Sequence, residues 1–166
     1  GRSKLEQLGI RHMFGIPGVH TVELYRGLSG SGIRRVTARH EQGCAFMADG
    51  YARATGKPAC VLVTSGPGAG NTVTGIMTAM MDSVPMVVIT GQTVSWMLGK
   101  DAFQEADIFN ITAPVVKHSY LVKNTNDIPR FAREAYHIAT TGRPGPVLID
   151  VPKDMSQGPF TGDLNA

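Results

Sequence analysis

Three runs of consecutive apolar residues, "CVLVT" (60–64), "MVVIT" (86–90) and "VLIDV" (147–151), constrain this chain more than any other feature. None of them alternates. A strand with one face in water alternates apolar and polar positions, whereas a strand covered on both faces has no reason to. Runs this short, rich in β-branched residues and separated by helix-length segments, predict the central strands of a parallel sheet with helices on both sides.

Shorter candidates at 12–15, 33–37 and 115–120 extend that sheet to about six strands. The intervening helices have readable ends. A helix over 41–55 stops at Gly56, the residue type that accepts a left-handed cap, and Pro58 lies just beyond. A second, over 129–141, has Pro129 in its first turn and Gly142 after its last, with Ile128, Phe131, Ala135, Ile138 and Ala139 on one face. Strands alternating with helices through right-handed crossovers give an α/β fold: a three-layer α/β/α doubly wound open sheet, mainly parallel. One domain is expected over residues 1–152. Residues 153–166 show no periodicity and are expected to begin a linker to further domains.

Composition narrows the function classes. With 42% hydrophobic and 17% charged residues the chain is globular. A net charge of +3, spread along the sequence without an aromatic-studded basic stripe, argues against nucleic acid. No apolar run approaches the ~18 residues of a membrane span, so no membrane role is expected. Cys44 and Cys60 fall in a predicted helix and a predicted strand and read as buried free thiols, which suits a reducing, cytoplasmic setting. The five histidines show no metal-ligand spacing, and no metal site is readable.

In an open parallel sheet the ligand sits outside the carboxyl ends of the strands. The turns there are "FGIPGVHT" (14–21), "ARHEQ" (38–42), "TSGPGAGNT" (64–72) and "GQ" (91–92). The third lacks the Lys of a phosphate loop and has Asn71 where a dinucleotide fingerprint has Gly. Its Gly66-Pro67-Gly68 allows a flat ligand close to a stiff backbone turn. In the first, Pro17 and Gly18 bend the chain, and His20 is either a first-turn histidine or a group turned into the mouth. "GKDAFQEAD" (99–107) reads as a surface loop entering a short helix with Asp101 as its cap. Glu41, at the end of a strand and the start of a helix, is by itself a first-turn charge worth roughly 0.3–1 kcal/mol.

Taken together, "RHEQGCAFMADGYARATGKP", "VLVTSGPGAGN", "DSVPMVVITGQ", "DAFQEADIFNIT" and "TGRPGPVLIDVPKD", in this order and spacing, resemble the N-terminal pyrimidine-binding domain of thiamine-diphosphate-dependent enzymes, in the branch that includes acetohydroxyacid synthase. The resemblance covers nearly the whole chain. It implies that Glu41 hydrogen-bonds a ring nitrogen of the cofactor's aminopyrimidine and favours the tautomer that deprotonates the thiazolium C2, for attack on a 2-oxo acid. A glutamate does this if it takes up a proton near neutral pH, and burial among small apolar residues such as Ala45 and Ala48 is the expected means. By the same resemblance Gly66, Pro67 and Asn71 line the pyrimidine. Gln104 reaches toward the reacting centre, with Phe103 beside it, and Gly18, Val19 and His20 form the substrate end.

The resemblance also implies Mg2+ held by a Gly-Asp-Gly motif in a separate domain. "TGDLN" near residue 163 lacks the second Gly, so this chain is expected to be a piece of a longer enzyme or one subunit of a split one, inactive alone. FAD is compatible with the family, although no residue here reads it. Acetohydroxyacid synthases carry Gly-Ala where Val19 and His20 stand, and the bulkier pair leans toward decarboxylation of one 2-oxo acid over joining of two. A small-residue face on the helix after Glu41 (Ala45, Ala48, Ala52) suits a homo-oligomer, most simply a dimer, or a tetramer. The alternatives are a non-catalytic dimerisation or regulatory module that keeps the fold, and a dinucleotide-binding oxidoreductase.

Overall fold

The computed structural model describes residues 3–165. The chain opens with a short helix α1 (Lys4–Gln7) and strand β1 (His12–Ile16), followed by α2 (Val22–Gly27), β2 (Arg34–Thr37) and α3 (Glu41–Thr55). Strand β3 (Ala59–Val63) leads into α4 (Pro67–Gly70) and α5 (Val73–Met81), and β4 (Met86–Gln92) into α6 (Ile108–Thr112). The last elements are β5 (His118–Leu121), α7 (Ile128–Thr140), β6 (Pro146–Pro152) and α8 (Lys153–Gln157).

All six strands are parallel, in the order β2-β1-β3-β4-β6-β5. The three non-alternating runs are the three central strands β3, β4 and β6, buried at nearly every position. Edge strand β2 is mostly exposed and carries Arg34 and Arg35, charges that discourage pairing with another edge. Strand β5 starts at His118, later than its apolar pattern suggests. Ala113–Val115 winds as a 3-10 turn around Pro114, which has no N–H to give a ladder.

Successive residues of one strand serve opposite layers. Val61 and Val63 pack with Cys44, Ala48 and Ala52 of α3 and Ile76 and Ala79 of α5. Cys60 and Leu62 pack with Ala132, Ala135 and Ala139 of α7 and with Leu5 and Leu28. This is the three-layer α/β/α arrangement. Helix α3 ends where expected, with Gly56 left-handed at φ 70°. Its small residues are used inside the chain: Ala45 and Ala48 are fully buried, and a side chain at Gly75 of α5 would come within 2.4 Å of the Ala45 Cβ. That face therefore cannot meet a second copy, contrary to expectation, because two helices of the same layer approach each other through it. Both cysteines are buried and free.

Residues beyond Pro152 begin with helix α8 and then lie against the segment before α7. Thr125 donates to the Met155 carbonyl at 2.9 Å, and Asn126 exchanges two hydrogen bonds with Thr161.

Candidate functional site

The strand register sets the floor of the site. Ile16 pairs with Val63, Val63 with Thr90 and Thr90 with Asp150, so β1 and β3 end level with Thr90 and Asp150, while β4 and β6 run on to Gln92 and Pro152. The chain leaves β1 toward β2 on one side and continues from β3 toward β4 on the other. The crevice between the ends of β1 and β3 is thus the topological switch point of the sheet.

Residues 64–71 are the hub of that crevice, and the loops 14–21, 38–42 and 99–107 each touch them. Gly18 lies against Thr64 so closely that a Cβ there would be 2.4 Å from the Thr64 Cβ. Ser65 Oγ shares a 2.8 Å hydrogen bond with His20 Nδ1. Gly66, at φ 61° and ψ −120°, takes a conformation that side-chain-bearing residues avoid, and a Cβ on it would fall 2.6 Å from the Gln104 carbonyl oxygen. Asn71 Nδ2 donates to Glu41 Oε2 at 3.0 Å. Loops as far apart in sequence as Gly18 and Gln104 thus meet on one turn.

Glu41 is the first residue of α3, behind His40, whose Nδ1 caps the helix by accepting from the Gln42 N–H. It is half-buried in the chain alone, less enclosed than expected, because its helix end faces the open side of the crevice. Asn71 holds one carboxylate oxygen. The other lies 3.6 Å from where a Gly68 side chain would begin, so the missing side chain keeps its approach clear. Thr64 Oγ1 in the same hub has no hydrogen-bond partner. A carboxylate with one oxygen anchored and one facing a side-chain-free turn fits a flat heteroaromatic ring that offers a nitrogen.

Val19 and His20 part company. Val19 is 53% exposed on the loop, while His20 is 6% exposed and turned down onto Ser65. Burial, and secondarily the Lys153 ammonium, hold the His20 pKa below its usual value and keep the ring neutral. His20 therefore braces the loops at its position, and its bulk does not stand in the mouth.

The loop after β4 departs from the sequence reading in one respect. Asp101 caps no helix; it has φ 52° within a turn, and the cap of α6 is Asp107, which accepts from the Asn110 N–H at 3.2 Å. Glu105 draws the loop together by accepting from the N–H groups of Gly99 and Ala102, and these bonds lower its pKa. Gln104 sits at φ 55°, a left-handed conformation unusual for a residue with a side chain, and Phe103 beside it is 72% exposed. Gln92 Nε2 ties the end of this loop to the sheet by donating to the Ala106 carbonyl at 2.8 Å, and also to Asp150 Oδ2 at 3.2 Å.

Thr64, Ser65, Gln92 and Asp150 were not singled out from sequence. For Asp150 a signal existed: an acid inside an apolar run predicted to be covered on both faces needs partners. Among the described residues no group of three or more His, Cys, Asp or Glu is placed to hold a metal ion. No helix among them is long and apolar enough to cross a membrane.

Comparison with known proteins shows the family. Residues 3–111 match the family described as thiamine pyrophosphate enzyme, N-terminal TPP binding domain. The chain is 56% identical over 155 residues to the acetolactate synthase large subunit of Buchnera aphidicola (subsp. Schizaphis graminum), covering 93% of this chain and 27% of that protein. It is 54% identical over 151 residues to the Haemophilus influenzae large subunit (90% and 26%), and 53% identical over 155 residues to acetolactate synthase isozyme 3 large subunit of Escherichia coli K12 (93% and 27%). The chain thus spans about a quarter of the length of these relatives.

Proposed function

The chain belongs to the family of thiamine pyrophosphate enzyme N-terminal TPP-binding domains, and from that premise we propose that it holds the aminopyrimidine end of thiamine diphosphate in an enzyme of the acetolactate synthase type acting on 2-oxo acids. When bound, the cofactor supplies a ring that accepts the electron pair freed as a 2-oxo acid loses its carboxylate. The remaining roles fall to this chain's own residues. Gly66, Pro67 and Asn71 present a turn against which the pyrimidine lies. Glu41 holds or moves a proton at the carboxylate oxygen that Asn71 leaves free. Gln104, kept beside Gly66, faces the reacting end, with Phe103 and Val19 bounding the substrate.

The observation that carries this reading is the single loop 64–71 touching Glu41, Gln104, Gly18 and His20 at the switch point of the sheet. Diphosphate and its Mg2+ need ligands from another segment, and the chain alone is expected not to turn over substrate. A symmetric pairing of copies belongs to the same reading. Phe46 on α3 and Met77 and Met81 on α5 are the exposed apolar side chains of that layer.

The test is Glu41→Gln in the full-length protein, followed by deuterium exchange at the cofactor C2 by NMR. Glutamine keeps the shape and cannot exchange a proton, so exchange should slow by at least about 10²–10⁴-fold, the usual worth of positioned acid–base help. Exchange at the wild-type rate would return Glu41 to the role of a helix-end charge.

A second reading, decarboxylation of one 2-oxo acid without joining a second, rested on Val19 and His20 both crowding the mouth. With His20 braced on Ser65, Val19 alone carries it. Val19→Gly with pyruvate as substrate separates the two. If Val19 excludes the second 2-oxo acid, acetolactate appears or rises in the variant; equal acetolactate from wild type and variant removes the reading.

A further inference from the structure

Asp150 is a buried acid that the reading above does not use. It is 2% exposed, at the end of β6, on the face shared with Leu148 and α6. Its two oxygens have one donor each: Thr90 Oγ1 at 2.7 Å on Oδ1 and Gln92 Nε2 at 3.2 Å on Oδ2. Gln92 is in turn fully engaged. Its second Nε2 proton goes to the Ala106 carbonyl, and its Oε1 accepts from the Thr93 N–H at 2.9 Å. The amide therefore has one workable orientation, and the carboxylate at its back selects it.

We propose that Asp150 and Gln92 are positioning residues forming a proton-sensitive latch that holds the loop 99–107, and with it Gln104, against the Gly66 turn. A carboxylate accepts both donors. A carboxylic acid adds a proton that needs an acceptor of its own, and the atoms within reach are Thr90 Oγ1 and, with its amide turned, Gln92 Oε1. Thr90, fully buried in the ladder between β4 and β6, can accept that proton only by turning its own hydroxyl proton away from Asp150. Gln92 is at the strand end beside a cavity of about 370 Å³ lined by Leu98, Glu105, Phe109 and Leu121, and is free to yield. Turning its amide to meet the new proton sets Oε1 against the Ala106 carbonyl and breaks the anchor two residues from Gln104.

The surroundings place the titration where it matters. Burial pushes the Asp150 pKa up to about 7 against the pull of its two donors, and the Asp107 carboxylate raises it further. Strand β4 offers only the neutral Thr90 and Gln92, β5 sets Leu121 in register beside it, and the loop brings Glu105 and Asp107. Lys153 and Asp154 of α8 act elsewhere, on His20 and Ser95.

The two consequences of protonation have opposite signs, which makes the latch distinguishable from a merely structural acid. A carboxyl whose folded pKa is raised adds stability below its unfolded pKa near 4, and this is lost as pH rises through about 7. Lowering the pH from 8 to 6 should strengthen the fold while loosening the loop. The latch itself stands on geometry; its bearing on catalysis rests on the reading of Gln104 above, so the readout is chosen to need no cofactor and no turnover.

Hydrogen exchange by mass spectrometry on the protein carrying this chain, corrected for the intrinsic pH dependence, is the experiment. Protection of amides 102–107 should fall about tenfold from pH 8 to pH 6, the change in ionised fraction of a group titrating near 7. Protection of β3 and β6 should hold or rise. Asp150→Asn, which cannot titrate, should give the same loop protection at both pH values. Gln92→Met, which keeps the acid and removes the latch, should show the unprotected loop at both, and stands in if Asp150→Asn fails to fold. Loop protection that is unchanged with pH, or moves in the same direction as the core strands, overturns the proposal; so does a protected loop in Gln92→Met at pH 8.

Discussion

Asn71 Nδ2 donates to Glu41 Oε2 at 3.0 Å, joining the end of α4 to the first residue of α3 across 30 residues of sequence. The bond leaves one carboxylate oxygen anchored and the other facing the turn at Gly68. Asn71→Ala should cost about 1 kcal/mol, the usual net worth of such a bond. Asn71→Asp replaces the donor with a second carboxylate, and the like charges repel. Its loss of stability should exceed that of Asn71→Ala at pH 8 and shrink toward pH 5, because repulsion between two carboxylates favours protonation of one of them. Urea unfolding at the two pH values checks this. Equal losses for both variants at pH 8 would mean that the two side chains do not interact.

Gly66 makes the second close approach on this loop. A Cβ there meets the Gln104 carbonyl at 2.6 Å, and φ 61° with ψ −120° is forbidding for any other residue. Gly66→Ala should cost about 1–3 kcal/mol and push the loop outward. Because Lys100 lies in that loop, tryptic cleavage after it should accelerate in native conditions more than global unfolding explains. Cleavage at the wild-type rate would show that the loop does not depend on the close approach.

For His20 the pH sign can be worked out. Burial first, and Lys153 second, lower its folded pKa below 6.5. Unfolded chains take up this proton near 6.5, and the folded protein only at lower pH. The contribution to stability is therefore present above about pH 6.5 and is lost as pH falls through the folded value. Asp150 works in the opposite direction over an overlapping interval, so the difference between wild type and His20→Asn carries the test. That difference should narrow between pH 7.5 and pH 5.5 in denaturant titrations. Parallel curves would mean that His20 titrates as if it were in water.

The sheet and the two longest flanking helices, α3 and α7, were legible in the residues alone. "CVLVT", "MVVIT" and "VLIDV" became the central strands because burial on both faces leaves no polar position to alternate with, a local consequence of a global arrangement. Helix α3 could be bounded because Gly56 at its end is a backbone requirement that shows as a residue type. Loop conformation carries no such periodic signature. Asp101 has the composition of a cap and serves in a turn, since Glu105 gathers the backbone around it and Asp107 caps the helix instead. The family resemblance pointed to Glu41, Gln104 and the Gly66 turn as separate stretches; strand order and register brought them onto one loop. Tertiary structure alone decided the rest. Which way His20 turns depends on Ser65, 45 residues away, and Asp150 acquires its partners only because β6 inserts next to β4. Periodicity records what a segment buries, and the pairing of distant polar groups is decided by where the chain crosses over.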